Sequence, residues 1–123
     1  MNVSIPVGIG ELYDKISVLE IKSERITDEA KLTYVREELA LLRKTAAEFP
    51  IDPSLYAELK KVNAGLWDIE DAIRMEESKK TFGEKFIGLA RSVYVQNDQR
   101  AEIKRQINLA SGSDIMEVKS YKG

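Results

Sequence analysis

Three polar residues near the C-terminal end of the chain have the clearest potential for chemistry. The segment 84–109 has helical periodicity, with Asn97 and Lys104 in the middle of its apolar arc and Arg100 on the edge. A polar group on an inward helix face needs a hydrogen-bonding partner. One interpretation is an anion pocket, in which Arg100 and Lys104 supply charge and Asn97 orients the ligand. The alternatives are pairing with buried carboxylates and a helix end that overhangs the rest of the domain.

The preceding predicted helix carries groups that antiparallel packing would bring towards this polar face. Glu70 and Trp67 share one flank of that helix, and Glu70 is expected near Asn97. A tryptophan ring can stack on a sugar or a base, although packing in a core or interface is its more common role. No residue is assigned a catalytic role, and whether the chain is an enzyme is left open. The candidate ligand-binding residues are Arg91, Asn97, Arg100, Lys104, Glu70 and Trp67.

Acidic residues three or four positions apart raise a second hypothesis, which is metal binding. Such pairs can share a magnesium ion and a diphosphate, so a magnesium-dependent hydrolase of phosphoanhydrides, such as nucleotide pyrophosphates, is an alternative function. With 21 acidic residues among 123, such pairs also arise by chance, and solvated helix faces are the default. No cofactor is therefore predicted, and magnesium enters only under the alternative. The pairs are Glu11 and Asp14, Glu20 and Glu24, and Asp68 and Asp71.

The composition excludes several chemistries. The chain has no cysteine and no histidine, which rules out disulfides, thiolate zinc sites, thiol nucleophiles and histidine-based catalysis. Its net charge of −2 does not favour nucleic-acid binding. No stretch approaches the ~18 apolar residues of a membrane span, and no basic-then-apolar leader opens the chain. We therefore expect no nucleic acid and no membrane as partners, and a cytoplasmic location.

The chain is predicted to form a single helical domain, 1–123. Apolar residues recur at helical spacing in four segments, and Asp28 and Asp52 are expected to cap two of them, with Pro53 at a first helical position. Sustained three–four spacing favours lengthwise antiparallel packing, as in bundles. The predicted helices cover about 10–26, 29–49, 53–78 and 84–109.

Both ends of the chain are predicted to form short strands. Val3, Ile5, Val7 and Ile9 recur with a period of two, although Pro6 restricts such a strand to an edge. The segment 115–121 follows a turn and is a second candidate strand. The predicted fold is mainly α, an antiparallel four-helix bundle-like domain with short N- and C-terminal β-strands that we expect to pair.

Several blocks of the sequence resemble a known protein family. They are GELYDKISVLEIK at 10–22, LWDIEDAIR at 66–74, LARSVY at 89–94, NDQRA at 97–101 and KSY at 119–121. They extend over nearly the whole chain and resemble a family of uncharacterised small bacterial and phage proteins, found alone or beside tetratricopeptide and glycosyltransferase regions. The resemblance implies a context of surface-glycan assembly and transfers no residue role.

Together these features predict a helical binding or interaction module. We expect it to form a homodimer and to recognise an anionic small molecule or a partner protein in surface-glycan biosynthesis. A purely structural adaptor is a third class, beside this module and the magnesium-dependent hydrolase. A looser resemblance to helical chorismate mutases, which bind a dicarboxylate with Arg and Lys on bundle helices, adds an enzyme alternative, although the spacing and order of the four cations compared here differ from that pattern. Those cations are Arg25, Lys31, Arg100 and Lys104.

Overall fold

The computed structural model describes residues 1–121, which form four helices and no strand. Within these residues, no helix is both long enough and apolar enough to cross a membrane. The mainly helical class predicted from the sequence is confirmed. The helices are α1 (Ile9–Arg25), α2 (Glu29–Ala46), α3 (Pro53–Lys79) and α4 (Glu84–Ser111).

The helix boundaries follow from local capping residues. The Asp28 carboxylate accepts a hydrogen bond from the backbone N–H three residues further on (3.1 Å), and Asp52 accepts one from the N–H two residues further on (2.8 Å). Pro53 occupies the start of α3. Lys80 and Gly112, which follow α3 and α4, adopt the left-handed conformation that ends many helices. These contacts explain why the predicted helices agree closely with the observed ones.

The helix α1 lies between two apolar clusters. The first cluster joins α1 to α2, and the second joins α3 to α4, with Ile9 and Tyr13 of α1 packed against it. Both faces of α1 are therefore covered, as the spacing of its buried residues requires. The first cluster contains Leu12, Ile16, Leu19, Val35, Leu39 and Ala46, and the second contains Leu59, Ile103 and Ile107.

The helices α1, α3 and α4 pack against one another, whereas α2 has its backbone close to α1 alone. The hydrogen bond between Asn63 and Arg100 and the ion pair between Glu76 and Lys85 show that α3 and α4 run antiparallel. In a closed four-helix bundle every helix has two neighbours. Here a three-helix core carries α2 on one side of its central helix.

The far half of the α3–α4 hairpin extends beyond the other helices. The last residue of α1, Arg25, contacts Asp68 (2.6 Å), and from there to the end of α3 only Glu76 is buried. At ~1.5 Å per residue this part of α3 projects by about 16 Å. The hairpin therefore supports itself by contacts between its own two helices.

The prediction of short terminal strands is wrong for the residues that the structure describes. Met1, Val3 and Ile5 are exposed, so the alternation at the N-terminus has no surface on which to pack. The two ends approach each other beside Gly8 and Ile115, but no ladder forms there. Without a neighbouring strand, a period of two does not by itself produce a sheet.

Gly10 allows α1 to approach α4 closely. A Cβ atom at this position would lie 2.5 Å from the carbonyl oxygen of Lys104, which is backbone and cannot move aside. Gly88 is a contrasting position within α4, where an added Cβ would meet nothing within 4 Å. Comparing alanine substitutions at these two glycines therefore separates the effect of close packing from the effect of helix propensity.

We expect Gly10→Ala to lower the free energy of unfolding by about 2 kcal/mol, because α1 must shift away from α4. Gly88→Ala is the matched control and should raise it by up to about 1 kcal/mol through helix propensity. Urea unfolding followed by circular dichroism measures both values. Equal effects of the two substitutions would contradict the close α1–α4 contact.

Candidate functional site

The ammonium group of Lys104 lies at the centre of a buried polar cluster. Lys104 is 6% exposed, and its Nζ atom lies 2.5 Å from Glu11 Oε2, 3.2 Å from Glu117 Oε2 and 3.9 Å from Asp14 Oδ2. Glu11 and Asp14 belong to α1, and Glu117 belongs to the segment that follows α4. We call these four residues the Lys104 cluster. One cation therefore joins three parts of the chain that are distant in sequence.

Burial and pairing act in opposite directions on the pKa of Lys104. Burial lowers this pKa, whereas the hydrogen bond to Glu11 and the negative charge of Asp14 raise it, and the net direction is upward. The pKa in the folded chain therefore exceeds the unfolded value of about 10.4. The ion pairs contribute stability fully below that pH, and this contribution is lost as pH rises through the folded pKa.

Asn63 of α3 connects the Lys104 cluster to the outer part of α4. Its Nδ2 atom donates to Asp14 Oδ1 (2.8 Å) and Ser17 Oγ (2.7 Å), and its Oδ1 atom accepts from Arg100 Nη1 (3.3 Å). The second amino group of Arg100 donates to Asn97 Oδ1 (2.8 Å). Asn63 is 5% exposed and Asp14 is 8% exposed. The side chains of these two residues therefore form hydrogen bonds with other protein groups rather than with solvent.

A groove of about 670 Å³ lies between α4 and residues 112–121, which we call the C-terminal tail. Two ion pairs hold the tail against α4, one between Glu117 and Lys104 and one between Lys119 and Asp98 (3.4 Å). The Lys119 ammonium also lies 5.6 Å from the centre of the Tyr121 ring. We call this feature the α4–tail groove. Its lining residues are Val93, Tyr94, Asn97, Asp98, Lys119, Ser120 and Tyr121.

The structure brings three of the candidate residues on α4 into connected positions. Lys104 lies in its buried cluster, Arg100 bonds to Asn63, and Asn97 both bonds to Arg100 and lines the groove. Carboxylates surround Lys104. This arrangement agrees with the alternative interpretation that the polar residues of this helix face pair with buried carboxylates. Arg91 is exposed and lies one helical turn before Tyr94 on the same side of α4.

The two candidates on α3 lie away from these contacts. Glu70 is exposed and forms an ion pair with Arg74 of its own helix (2.9 Å). Trp67 is half-buried, and the Arg25 guanidinium lies 5.8 Å from the centre of its ring. Neither side chain forms a hydrogen bond or ion pair with α4 within residues 1–121.

In each acidic pair considered for magnesium, at least one carboxylate has a cation of the protein as its partner, while Asp71 is exposed. Glu11 and Asp14 face Lys104, and Asp68 pairs with Arg25. Lys60 lies between the other pair, 2.9 Å from Glu20 and 2.8 Å from Glu24. In the part of the chain that the structure describes, no group of three or more acidic residues is arranged to hold a metal ion. Two of the cations matched to chorismate mutases, Arg25 and Lys104, are likewise engaged by carboxylates.

Comparison with known proteins shows the family of the chain. Residues 1–123 match a family that is described as a family of unknown function (DUF6165). The chain belongs to this family. No curated protein and no solved structure matches this DUF6165 member. The family description states no activity, so the association with glycan assembly stays a prediction.

Several residues that form the polar contacts and the groove of this DUF6165 member are not among the ligand-binding residues predicted from its sequence. Asn63 lies on the buried side of α3, and only its polar type on an inward flank marks it in the sequence. Lys119 and Tyr121 belong to the KSY block that supported the family resemblance. Glu117 gave no signal of its own, because its partner is 13 positions away and the contact requires the tail to fold back.

Replacing Lys104 by methionine should lower the free energy of unfolding by about 2 to 3 kcal/mol, because the buried carboxylates lose their cation. Lys15→Met is the matched control, since Lys15 pairs with the same Glu11, at 3.9 Å, but is half-exposed. This substitution should lower the free energy of unfolding by about 0.5 kcal/mol or less. Urea unfolding at neutral pH measures both. A Lys104→Met loss as small as that of Lys15→Met would contradict the structural role of the Lys104 cluster.

Proposed function

We propose that this DUF6165 member is a binding module for a small anionic molecule that carries hydroxyl groups, and that the ligand occupies the α4–tail groove. The observation that carries this proposal is the combination of aromatic rings, hydrogen-bonding groups and a lysine in one groove. Its volume of about 670 Å³ lies within the range of small-molecule sites, about 300–1,000 Å³.

The aromatic groups support a ligand with flat or apolar faces. Tyr94 and Tyr121 are exposed, and both line the groove, one on α4 and one on the tail. Tyrosine offers a large apolar face together with a hydroxyl that donates or accepts hydrogen bonds. Rings on two separate elements can contact a ligand that lies between them.

The charges support a ligand with a negative group. The Lys119 ammonium has Asp98 as its carboxylate partner within the described chain, and the pair lies at 3.4 Å with the aspartate mostly exposed. An exposed pair of this kind contributes about 0–1 kcal/mol, so an anionic ligand can replace Asp98 as the partner of Lys119. Arg91 adds a second positive charge one turn from Tyr94.

These features together favour a phosphorylated sugar derivative, such as a sugar nucleotide. Its rings match the tyrosines, its hydroxyls match Asn97, Asp98 and Ser120, and its phosphates match Lys119. The resemblance to proteins found beside glycosyltransferase regions supports the same class. Binding of such a ligand requires no resident cofactor.

The proposal predicts that a sugar nucleotide stabilises the full chain. Uridine diphosphate glucose at about 100 times its dissociation constant should raise the free energy of unfolding by about 2.7 kcal/mol, which thermal unfolding detects as a higher midpoint. Tyr121→Ala should weaken binding about tenfold in calorimetric titration, because a stacking face is lost. Tyr34→Ala is the matched control, since Tyr34 is also a largely exposed tyrosine and lies on α2, away from the groove.

The same thermal-unfolding experiment is repeated with a panel of other ligands. The panel consists of nucleoside diphosphates, small dicarboxylates, glucose and inorganic phosphate. Binding of glucose alone would contradict the anionic class. No binding by any member, or equal binding by the Tyr121→Ala and Tyr34→Ala variants, would contradict the proposed function.

A further inference from the structure

A chain of hydrogen bonds leads from the buried face of α1 to the α4–tail groove. Asp14 Oδ1 accepts from Asn63 Nδ2 (2.8 Å), Asn63 Oδ1 accepts from Arg100 Nη1 (3.3 Å), and Asn97 Oδ1 accepts from Arg100 Nη2 (2.8 Å). Each helix of the three-helix core contributes to this chain. Its last member, Asn97, lines the groove.

The chemistry of the end groups fixes the direction of every bond in this chain. An ionised carboxylate such as Asp14 only accepts, so the edge of the Asn63 carboxamide that faces it must be the NH₂ edge. The oxygen of Asn63 therefore faces Arg100. A guanidinium group only donates, so the edge of Asn97 that faces Arg100 must be its oxygen. Both carboxamides are thereby held in one of their two orientations.

The orientation of Asn97 leaves its NH₂ group for the groove. Within residues 1–121 the Nδ2 atom of Asn97 makes no hydrogen bond, whereas its Oδ1 atom is occupied by Arg100. A rotation of the carboxamide by half a turn would set two donors, the Asn97 NH₂ and the Arg100 N–H, against each other. Because Asn97 lines the groove, this NH₂ group is the donor that Asn97 can offer to a ligand there.

We infer that Asn97 is the specificity-determining donor of the groove and selects a ligand with an acceptor oxygen, such as a phosphate or carboxylate oxygen. Arg100 and Asn63 are positioning residues, because they act on the ligand only through the orientation of Asn97. The ligand part of this inference rests on the proposed function. The orientation of Asn97 does not, since it follows from contacts within the protein.

The direct test replaces the donor by an acceptor. Asn97→Asp keeps the size of the side chain and gives Arg100 a carboxylate partner, so the fold should be retained. Titration with uridine diphosphate glucose should show a loss of affinity of about 50-fold or more, because an anion then faces an anion. Gln99→Glu is the matched control, since it adds the same charge to an exposed position of α4 outside the groove, and it should change affinity by about twofold or less.

A second measurement tests the orientation without any ligand. The side-chain NH₂ resonances of Asn97, assigned by their absence from the Asn97→Asp spectrum, should shift in the Arg100→Met variant of the full chain. Arg100→Lys restores one donor and should return these resonances, and the affinity, towards those of the unsubstituted chain. A role of Arg100 in stability alone would lower the unfolding midpoint without moving these resonances.

The outcomes separate the inference from the proposed function. Absence of binding by the unsubstituted chain would overturn the proposed function and the donor role with it, while the resonances would still decide the orientation. Unchanged affinity in Asn97→Asp would overturn the donor role alone. Unchanged Asn97 resonances in a folded Arg100→Met variant would overturn the positioning role, and if that variant does not fold, Arg100→Leu, which also lacks a donor, is judged by the same criterion.

Discussion

The buried ammonium group of Lys104 is the interaction on which the rest of the structure depends. A charge that is 6% exposed must be paired, and the carboxylates of Glu11, Asp14 and Glu117 do so. This requirement places the start of α1 against α4, where Gly10 permits close contact and Asn108 accepts its backbone N–H. Because removing one partner of a buried ion pair is costly, this cluster favours the observed placement of α1 on the hairpin.

The same interaction creates the α4–tail groove. The described part of the tail has no helix or strand after Gly112, so backbone ladders do not hold it. Near its start, Ser113 bonds to Ile9 and to Asn108, and further along the ion pairs of Glu117 with Lys104 and of Lys119 with Asp98 hold it against α4. These two ion pairs, together with the hydrogen bond from the Ile9 N–H to Ser113 Oγ (3.2 Å), position this wall of the groove. The Lys104 cluster thus contributes both to the packing of α1 on α4 and to the position of the tail.

Local features of the sequence predict the helices well, because their ends are set locally. Asp28, Asp52 and Pro53 act within two or three residues of themselves, and they mark the observed starts of α2 and α3. The prediction of terminal strands is wrong because a strand needs a neighbouring strand to pair with, and periodicity alone does not provide one. The position of α2, on one side of α1 alone, likewise depends on which faces meet in three dimensions.

The polar face of α4 was visible in the sequence, whereas its partners were not. Asn97, Arg100 and Lys104 stand out because they interrupt an apolar arc, but Asn63 and Glu117 reach them only after α3 packs and the tail folds back. The ion pair between Glu117 and Lys104 holds the tail against α4. The most direct test is the heteronuclear ¹⁵N relaxation of residues 113–121 in Glu117→Gln, with Asp114→Asn as a control that removes the same charge from the same segment. The tail should become mobile on the picosecond-to-nanosecond timescale in Glu117→Gln and stay ordered in the control. An equally ordered tail in both variants would show that the ion pair of Glu117 does not hold it.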